Sequence, residues 1–253
     1  MHALAGLGAG KPAGVRTRGV PAHNRRVLGL WPARDDDVNF LSLLSETNRR
    51  RVLEGSTKEV HPPGAIAFHP EGPPRSFVLE RGLARVYAAV PDGRQATVTF
   101  VHENELAGGT AIASHPPRVL IQVVIPSTLT ILDLERVRRL ARTESEVCAA
   151  VATHLAARVR STFRLVAVRS LGTIRERVAY DLLDRACQSQ LVVGRLECRA
   201  THADFADSIG SSREVVSRTV KELRAAGIVE TAPGMVRVID PVRLSAIVRG
   251  FEI

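Results

Sequence analysis

The chain has 253 residues, 45% of them hydrophobic, and a formal net charge of +9. This length can hold two domains with a buried core. No uninterrupted apolar run approaches the roughly 20 residues that span a bilayer, so we expect no membrane partner. The cysteines Cys148, Cys187 and Cys198 are dispersed and form neither a CxxC pair nor a disulfide framework, which favours a reducing cytoplasm.

Signatures of catalysis are missing from the sequence. It contains no P-loop, no metal-ligand spacing, no nucleophile elbow and no dinucleotide-binding fingerprint. We therefore expect a protein that is not an enzyme and that holds no metal ion or other cofactor.

The N-terminal segment, residues 1–36, is predicted to be a disordered basic arm. Its first 33 residues include five basic and no acidic side chains, with many Gly, Ala and Pro. A secretory signal would need an unbroken apolar core, which is missing here, whereas a transit peptide has a similar composition. An arm that contacts DNA phosphates and a misassigned start codon are open alternatives.

Residues 37–134 are predicted to form a β-rich sensor domain. Short amphipathic helices are expected at about 37–56, and short β-rich runs separated by glycine turns follow. Many short strands at regular spacing are typical of a compact barrel or roll. The predicted strands are Ala65–His69, Ser76–Glu80, Ala84–Val90, Gln95–Phe100, Leu120–Val124 and Thr128–Leu132.

Residues 135–170 are predicted to form one long helix for dimerisation. An apolar stripe lies on one side, arginines occupy much of the rest, and no proline interrupts the pattern. A stripe of this length usually packs against another helix, although packing on the chain's own β domain can account for part of it. The predicted interface comprises Val147, Val151, Leu155, Val159, Thr162 and Val166.

Residues 171–253 are predicted to form a helix-turn-helix domain after a hinge at 171–173. Thr201 and Asp204 are placed to cap one short helix, and Ser211 and Glu214 match a capping box for the next. Gly210 stands at the turn between the two helices, and Gly227 is the stop signal for the second. A predicted β-hairpin turning at 232–234 then forms a wing.

The second helix, at about 211–224, carries a polar stripe opposite its apolar one. Arg can bind guanine O6 and N7 together, and Glu can accept a hydrogen bond from cytosine N4. A helix-turn-helix presents such a stripe to the major groove. The segment 171–253 has 12 Lys and Arg against 11 Asp and Glu, so its net charge is close to zero. The prediction of DNA binding therefore depends on where the charged side chains lie on the helix. The stripe consists of Arg213, Glu214, Ser217, Arg218 and Lys221.

The run from Gly210 to Arg218, with its S-R-E-x-V-x-R segment starting at Ser212, resembles the DNA-binding domain of the CRP/FNR (cyclic AMP receptor protein) family of bacterial transcription regulators. Phe77–Tyr87 is similar to the hairpin of that family's sensor domain. The resemblance implies an α+β fold: an N-terminal double-stranded β-roll of the cyclic-nucleotide-binding type, a long dimerisation helix, and a C-terminal winged helix-turn-helix domain.

The resemblance also implies what the protein binds. A homodimer would bind a palindromic site on double-stranded DNA, with Glu214 and Arg218 reading the G·C pair of a TGA-like core, and RNA polymerase would be a further partner. Arg213 would read a neighbouring guanine or hold a phosphate. The full set of expected DNA-binding residues is Thr201, Ser211, Ser212, Arg213, Glu214, Ser217, Arg218 and Lys221.

In the family's cyclic-nucleotide cassette, a Gly-Glu pair holds the ribose and an Arg-Ser pair holds the phosphate. Gly108 and Arg118 match this pattern, but Gly109 replaces the glutamate and Val119 the serine. With Thr162, the glycines and Arg118 are the candidate effector-binding residues, and we expect cyclic-nucleotide binding to be lost.

Three other readings of the sensor domain stay open. The first is a regulator of the same fold that still responds to a cyclic nucleotide. The second is a haem-responsive regulator, which needs an axial ligand, and the chain offers His61, His69, His102, His115 and His154. An adaptor that binds cyclic nucleotides without DNA activity is the third. The dispersed cysteines argue against an iron–sulfur cluster.

Overall fold

The computed structural model describes residues 38–250, and the predicted basic arm lies outside the described residues. A short 3₁₀ helix, Phe40–Leu43, opens the described chain. The strands are β1 Thr57–His61, β2 Ile66–Phe68, β3 Phe77–Arg81, β4 Ala84–Ala89, β5 Gln95–Val101, β6 Leu106–Ala107, β7 Leu120–Val123, β8 Ser127–Ile131, β9 Glu197–Cys198, β10 Val229–Ala232 and β11 Met235–Val238. The α-helices are α1 Glu46–Leu53, α2 Gly109–Ala113, α3 Leu134–Thr143, α4 Ser145–Leu171, α5 Ile174–Val193, α6 His202–Ile209, α7 Arg213–Ala225 and α8 Pro241–Arg249.

The first eight strands form the predicted roll from two four-stranded antiparallel sheets. One sheet has the order β1-β8-β3-β6 and the other has the order β2-β7-β4-β5. Apolar side chains from both sheets fill the space between them, among them Phe77, Leu79, Val123 and Leu129, all fully buried. All six predicted strands are present to within two residues at either end, and β1, β6 and β9 were not predicted. The fold class expected from the sequence is confirmed.

The predicted single helix over 135–170 is instead two helices. α3 ends at Thr143, Glu144 has an extended backbone, and α4 then continues for 27 residues. The Glu144 carboxylate binds Arg51 of α1 at 2.9 Å. Asp133 caps the start of α3 by accepting a hydrogen bond from the backbone N–H of Arg136 at 3.0 Å. The break between α3 and α4 contains neither glycine nor proline, and the residue at the break contacts α1 instead.

Helices α5 to α8 form a second compact core with the three-stranded sheet β10-β11-β9. Leu182, Phe205, Leu223 and Leu244, one from each helix, are fully buried there. The predicted junction before α5 is present, because α4 ends at Leu171 and Thr173 caps α5 through a capping box with Glu176. The predicted wing corresponds to the antiparallel pair β10 and β11.

A buried polar network joins the roll to α5. Arg85 of β4 is fully buried, and its guanidinium lies over the ring of Tyr87 at 4.4 Å. It donates a hydrogen bond to Asp184 of α5 at 2.7 Å. Other bonds from Arg85 reach Thr97 at 2.7 Å and Gln95 at 2.9 Å. A buried charge requires a partner and hydrogen bonds, and here both halves of the molecule supply them.

Candidate nucleic-acid interface and sensor cavity

The helix-turn-helix is held by local capping. Thr201 and Asp204 form the predicted capping box, with the Thr201 hydroxyl 2.8 Å from the carboxylate. The hydrogen bond from the Thr201 backbone N–H holds the pKa of Asp204 below its usual range. Gly210 ends α6 with φ of +61°, in the left-handed region that L side chains rarely adopt. This conformation turns the chain directly into α7.

The cap of α7 is one residue later than predicted. The sequence pattern assigned it to Ser211, but the hydroxyl that accepts from the first turn belongs to Ser212, which accepts from the N–H of Val215 at 3.4 Å. Ser211 instead donates its backbone N–H to the carbonyl of Ala206 at 2.9 Å. Thr201 and Ser212, both proposed from sequence as DNA contacts, thus use their side-chain oxygens as helix caps.

One face of α7 is buried and the opposite face is charged and exposed. Val216, Val220 and Leu223 are at most 1% exposed and pack into the C-terminal core. Ser217 is half-buried beside the charged face. Within residues 38–250, none of the charged side chains on the exposed face forms an ion pair or hydrogen bond; these are Arg213, Glu214, Arg218 and Lys221.

A groove of about 550 Å³ lies between α7 and the wing. Arg213 and Lys221 line it on the α7 side, and the wing turn at 232–234 lines the other. Arg224, which the sequence analysis did not single out, also lines the groove and lies 3.4 Å from the hydroxyl of Thr231 in the wing. Its position could have been inferred from the spacing, since it follows Lys221 by three residues on the same helix.

The sensor domain contains a cavity of about 150 Å³ between the second sheet, α2 and α4. Three of the four predicted effector residues, Gly108, Gly109 and Thr162, line it. Arg118 is exposed and does not line the cavity, whereas its neighbours Pro117 and Val119 do. Val119, one residue later, lines the cavity in its place.

His154 of α4 fills the space beside Gly109. A Cβ atom on residue 109 would lie 2.6 Å from Cδ2 and 2.9 Å from Nε2 of His154, closer than Cβ atoms approach other atoms. The imidazole is 1% exposed, and burial, reinforced by the charge of Arg158, lowers its pKa to about 3. A neutral imidazole therefore stands where a longer side chain at position 109 would have to pass. In the sequence His154 stands out only as one of five histidines that could ligate haem.

Helix α4 has two apolar stripes, and the predicted dimer interface combined residues from both. Val147 and Val151 were predicted at the dimer interface, but they are 0% and 5% exposed and pack against Phe40 and its neighbours in the same chain. Leu155 and Thr162 are half-buried and line the cavity.

The exposed stripe of α4 has its own spacing. It consists of Ala152, Ala156, Val159, Phe163 and Val166, and it advances by four and three residues in turn. Val159, Phe163 and Val166 are more than half exposed. Of these residues, the predicted interface included only Val159 and Val166.

No group of three or more His, Cys, Asp or Glu side chains within residues 38–250 is placed to hold a metal ion. In the same part of the chain, none of the helices combines the length and apolar character that crossing a bilayer requires.

A winged helix-turn-helix joined by a long helix to an antiparallel β-roll defines a class, the two-domain DNA-binding regulators with a sensor domain. Residues 176–247 match the model of the Crp-like helix-turn-helix domain. The chain is a transcription regulator of the CRP/FNR type with a helix-turn-helix DNA-binding domain.

Relatives of known name support this assignment. The transcriptional regulator LdrP of Thermus thermophilus is 29% identical over 65% of this chain and 82% of its own length. The cyclic AMP receptor protein of Thermus thermophilus is 29% identical over 69% of this chain and 79% of its own length. The crystal structure of a CRP/FNR-family regulator from Eubacterium rectale, 20% identical, covers 84% of this chain and 100% of its own with a TM-score of 0.53, and shows the same fold.

Proposed function

We propose that the protein is a homodimeric, sequence-specific transcription regulator that acts in the cytoplasm and binds a palindromic DNA site through α7. The observation that carries this proposal is the exposed face of α7, where four charged groups have no partner within residues 38–250. Elsewhere in the same range, many arginines are held in ion pairs, for example Arg51, Arg136 and Arg158. Unpaired charge on a recognition helix can bind DNA without first breaking internal contacts.

The roles of the individual residues follow from their positions. Glu214 and Arg218 lie in the first half of α7, where a recognition helix contacts base edges, and we assign them to the G·C pair of a TGA-like core. Arg213 reads a neighbouring guanine or holds a phosphate. Lys221, in the groove beside the wing, is assigned to a phosphate. Ser217, half-buried at the edge of this face, is assigned an additional contact to a base or a phosphate.

The exposed stripe of α4 supports the homodimer. Apolar residues that alternate by four and three positions match the seam of two supercoiled helices. Val159, Phe163 and Val166 are 54%, 63% and 61% exposed in the single chain, so a second copy would remove them from water. A two-fold dimer needs a palindrome with half-sites about one helical turn apart. RNA polymerase is the further partner of such a regulator.

For the sensor domain we propose that cyclic-nucleotide binding is lost. The Thermus thermophilus relative is named as a cyclic AMP receptor protein. In this chain, however, a Cβ atom at position 109 would lie 2.6 Å from the His154 ring, which opposes a glutamate there, and Arg118 does not line the cavity. Neither the carboxylate for a ribose nor the guanidinium for a phosphate is therefore supplied by the predicted residues.

The test is selection from a random DNA pool with the parent protein and three variants. The parent should enrich a palindrome. Arg218→Ala should weaken binding to that site by about 1–3 kcal/mol and relax selection at one guanine in each half-site. Lys221→Ala should weaken binding to all sequences alike and reduce the salt dependence. Arg142→Ala, which removes an exposed charge from α3, is the matched control and should leave the motif unchanged.

Two outcomes would overturn the proposal. An Arg218→Ala protein that enriches the parent motif with equal sharpness would show that α7 does not read bases. A parent protein that enriches no motif at low salt would instead favour an adaptor without DNA activity.

A further inference from the structure

The walls of the sensor cavity are mainly apolar, and its size limits what it can hold. Aliphatic and aromatic side chains form most of the lining, among them Phe68, Val86, Val101, Leu106, Ile121 and Leu155. Its volume of about 150 Å³ matches that of apolar cavities known to bind benzene. A single six-membered ring fits this space.

His154 brings an unsatisfied polar group to this apolar cavity. The ring lines the cavity, is 1% exposed, and forms no hydrogen bond with any residue in the range 38–250. Its only aromatic contact there is edge-on to Phe40, with ring centroids 6.3 Å apart. Buried polar side chains in folded proteins nearly always have a partner, so one without a partner calls for an explanation. A neutral imidazole offers one N–H donor and one acceptor nitrogen.

Arg158 lies one helical turn after His154 and lines the same cavity. Its terminal nitrogens are already used: one binds Glu105 at 2.9 Å, and the other donates to the carbonyl of Phe100 at 3.1 Å. Its Nε–H is buried and has no partner within the described residues. Because residues four apart on a helix are neighbours, this donor and the imidazole can serve the same ligand atom.

The two arginines of the cavity lining are each bound by a carboxylate of the chain. Glu105 binds Arg158 and is shared with Arg249, and Glu59 binds Arg75. An anionic ligand would therefore compete with two carboxylates that are already in place. An uncharged ligand needs only the free donor and the free acceptor.

We propose that this cavity binds a small, uncharged, hydroxyl-bearing hydrocarbon of about the size of a benzene ring. Its ring packs against the apolar walls, while its hydroxyl donates to the acceptor nitrogen of His154 and accepts from Nε of Arg158. This assignment rests on the proposed function, since it names the chemical class of the effector that the sensor domain would take.

The test uses the full-length protein without DNA, with phenol as the probe. Phenol is uncharged at neutral pH, and benzene is its match without the hydroxyl. Isothermal titration should give one phenol per chain, bound about three- to tenfold more tightly than benzene, as expected for one or two net hydrogen bonds. Benzoate and cyclic AMP should bind more weakly than phenol.

Variants locate the hydroxyl contact. His154→Phe keeps an aromatic ring and removes both nitrogens, so phenol affinity should fall toward that of benzene, with the bond from Nε of Arg158 retained, while benzene affinity changes less than about twofold. Benzene binding thus reports that the variant is folded. His69→Phe is the matched control, since His69 is exposed and does not line the cavity, and it should retain the parent preference.

Titrations of the parent protein alone, without any variant, can overturn the proposed ligand class. Equal affinities for phenol and benzene, tighter binding of benzoate or cyclic AMP than of phenol, or no binding of phenol at all would each overturn it. Unchanged phenol preference in His154→Phe would do so as well. Failure of the DNA selection would contradict the proposed function and leave these titrations unaffected, so the two results can be told apart.

Discussion

Arg85 allows a direct test of how the β-roll and the C-terminal helices stabilise one another. Replacing it with methionine keeps an unbranched apolar stem beside Tyr87 and removes the guanidinium. The change breaks the 2.7 Å contact with Asp184 and leaves that carboxylate, whose side chain is 14% exposed, without its cation. Removing one partner of a buried ion pair costs about 3–5 kcal/mol.

The lower end of that range applies here. Asp184 keeps a 2.9 Å hydrogen bond from Gln188 of the same helix, and its remaining exposure allows some hydration. We therefore expect Arg85→Met to lower the free energy of unfolding by about 3 kcal/mol. Equilibrium denaturation in urea, followed by circular dichroism, measures this change. Hydrogen exchange of the α5 amides reports whether the roll and α5 still unfold together.

Two further proteins serve as controls for this prediction. Arg94→Met removes an exposed arginine from the β4–β5 hairpin and should change stability by less than about 0.5 kcal/mol. Combining Arg85→Met with Asp184→Leu removes both charges and should recover part of the loss, because an apolar pair can replace a buried ion pair. A loss below about 1 kcal/mol, or additive effects in the double variant, would refute the argument that this pair stabilises the joint.

Phe163→Glu should weaken the dimer by about 2 kcal/mol or more in sedimentation, whereas Val192→Glu, at an exposed site on α5, should not. Burial lowers the folded-state pKa of His154 from 6.5 to about 3, so this group should remove about 1.4 kcal/mol of stability per unit as the pH falls from 6.5 toward 3. His102, whose pKa burial also lowers to about 3, adds its own slope, and urea denaturation of His154→Phe should lack only the His154 part. Gly109→Ala should cost about 1–3 kcal/mol in urea denaturation, and much less in a His154→Ala background.

The elements that could be predicted from the sequence are those with local signals. Glycine turns separate the strands of the roll, and the capping box at Thr201 and the glycine at 210 define the helix-turn-helix. The stop at Gly227 is likewise local, since φ there is +70°. Each of these signals lies within a few residues of the structure it specifies, so no knowledge of the tertiary fold was needed.

Other features depend on contacts between distant segments. The break at Glu144 has no glycine or proline signal, and its carboxylate binds Arg51, 93 residues earlier. The alternation of side chains along β4 does not show whether Arg85 is buried or exposed. Its burial is explained by the position of α5, which supplies Asp184 as its partner. Periodicity on α4 identified an apolar stripe, but Val147 and Val151 belong to the face that packs on the chain's own domain.

The chemistry of the sensor cavity also depends on a contact between distant residues. The sequence alone shows only that a carboxylate is missing, because Gly109 stands where the family's cassette has a glutamate. In the structure the substitution and the histidine of α4 are complementary: the glycine leaves the space that the imidazole occupies 45 residues later in the chain. The substitution thus places a neutral polar group against apolar walls, which changes the kind of molecule the domain can bind. If this pairing sets the specificity, restoring glutamate at 109 alone cannot restore cyclic-nucleotide binding, because the imidazole must also be removed.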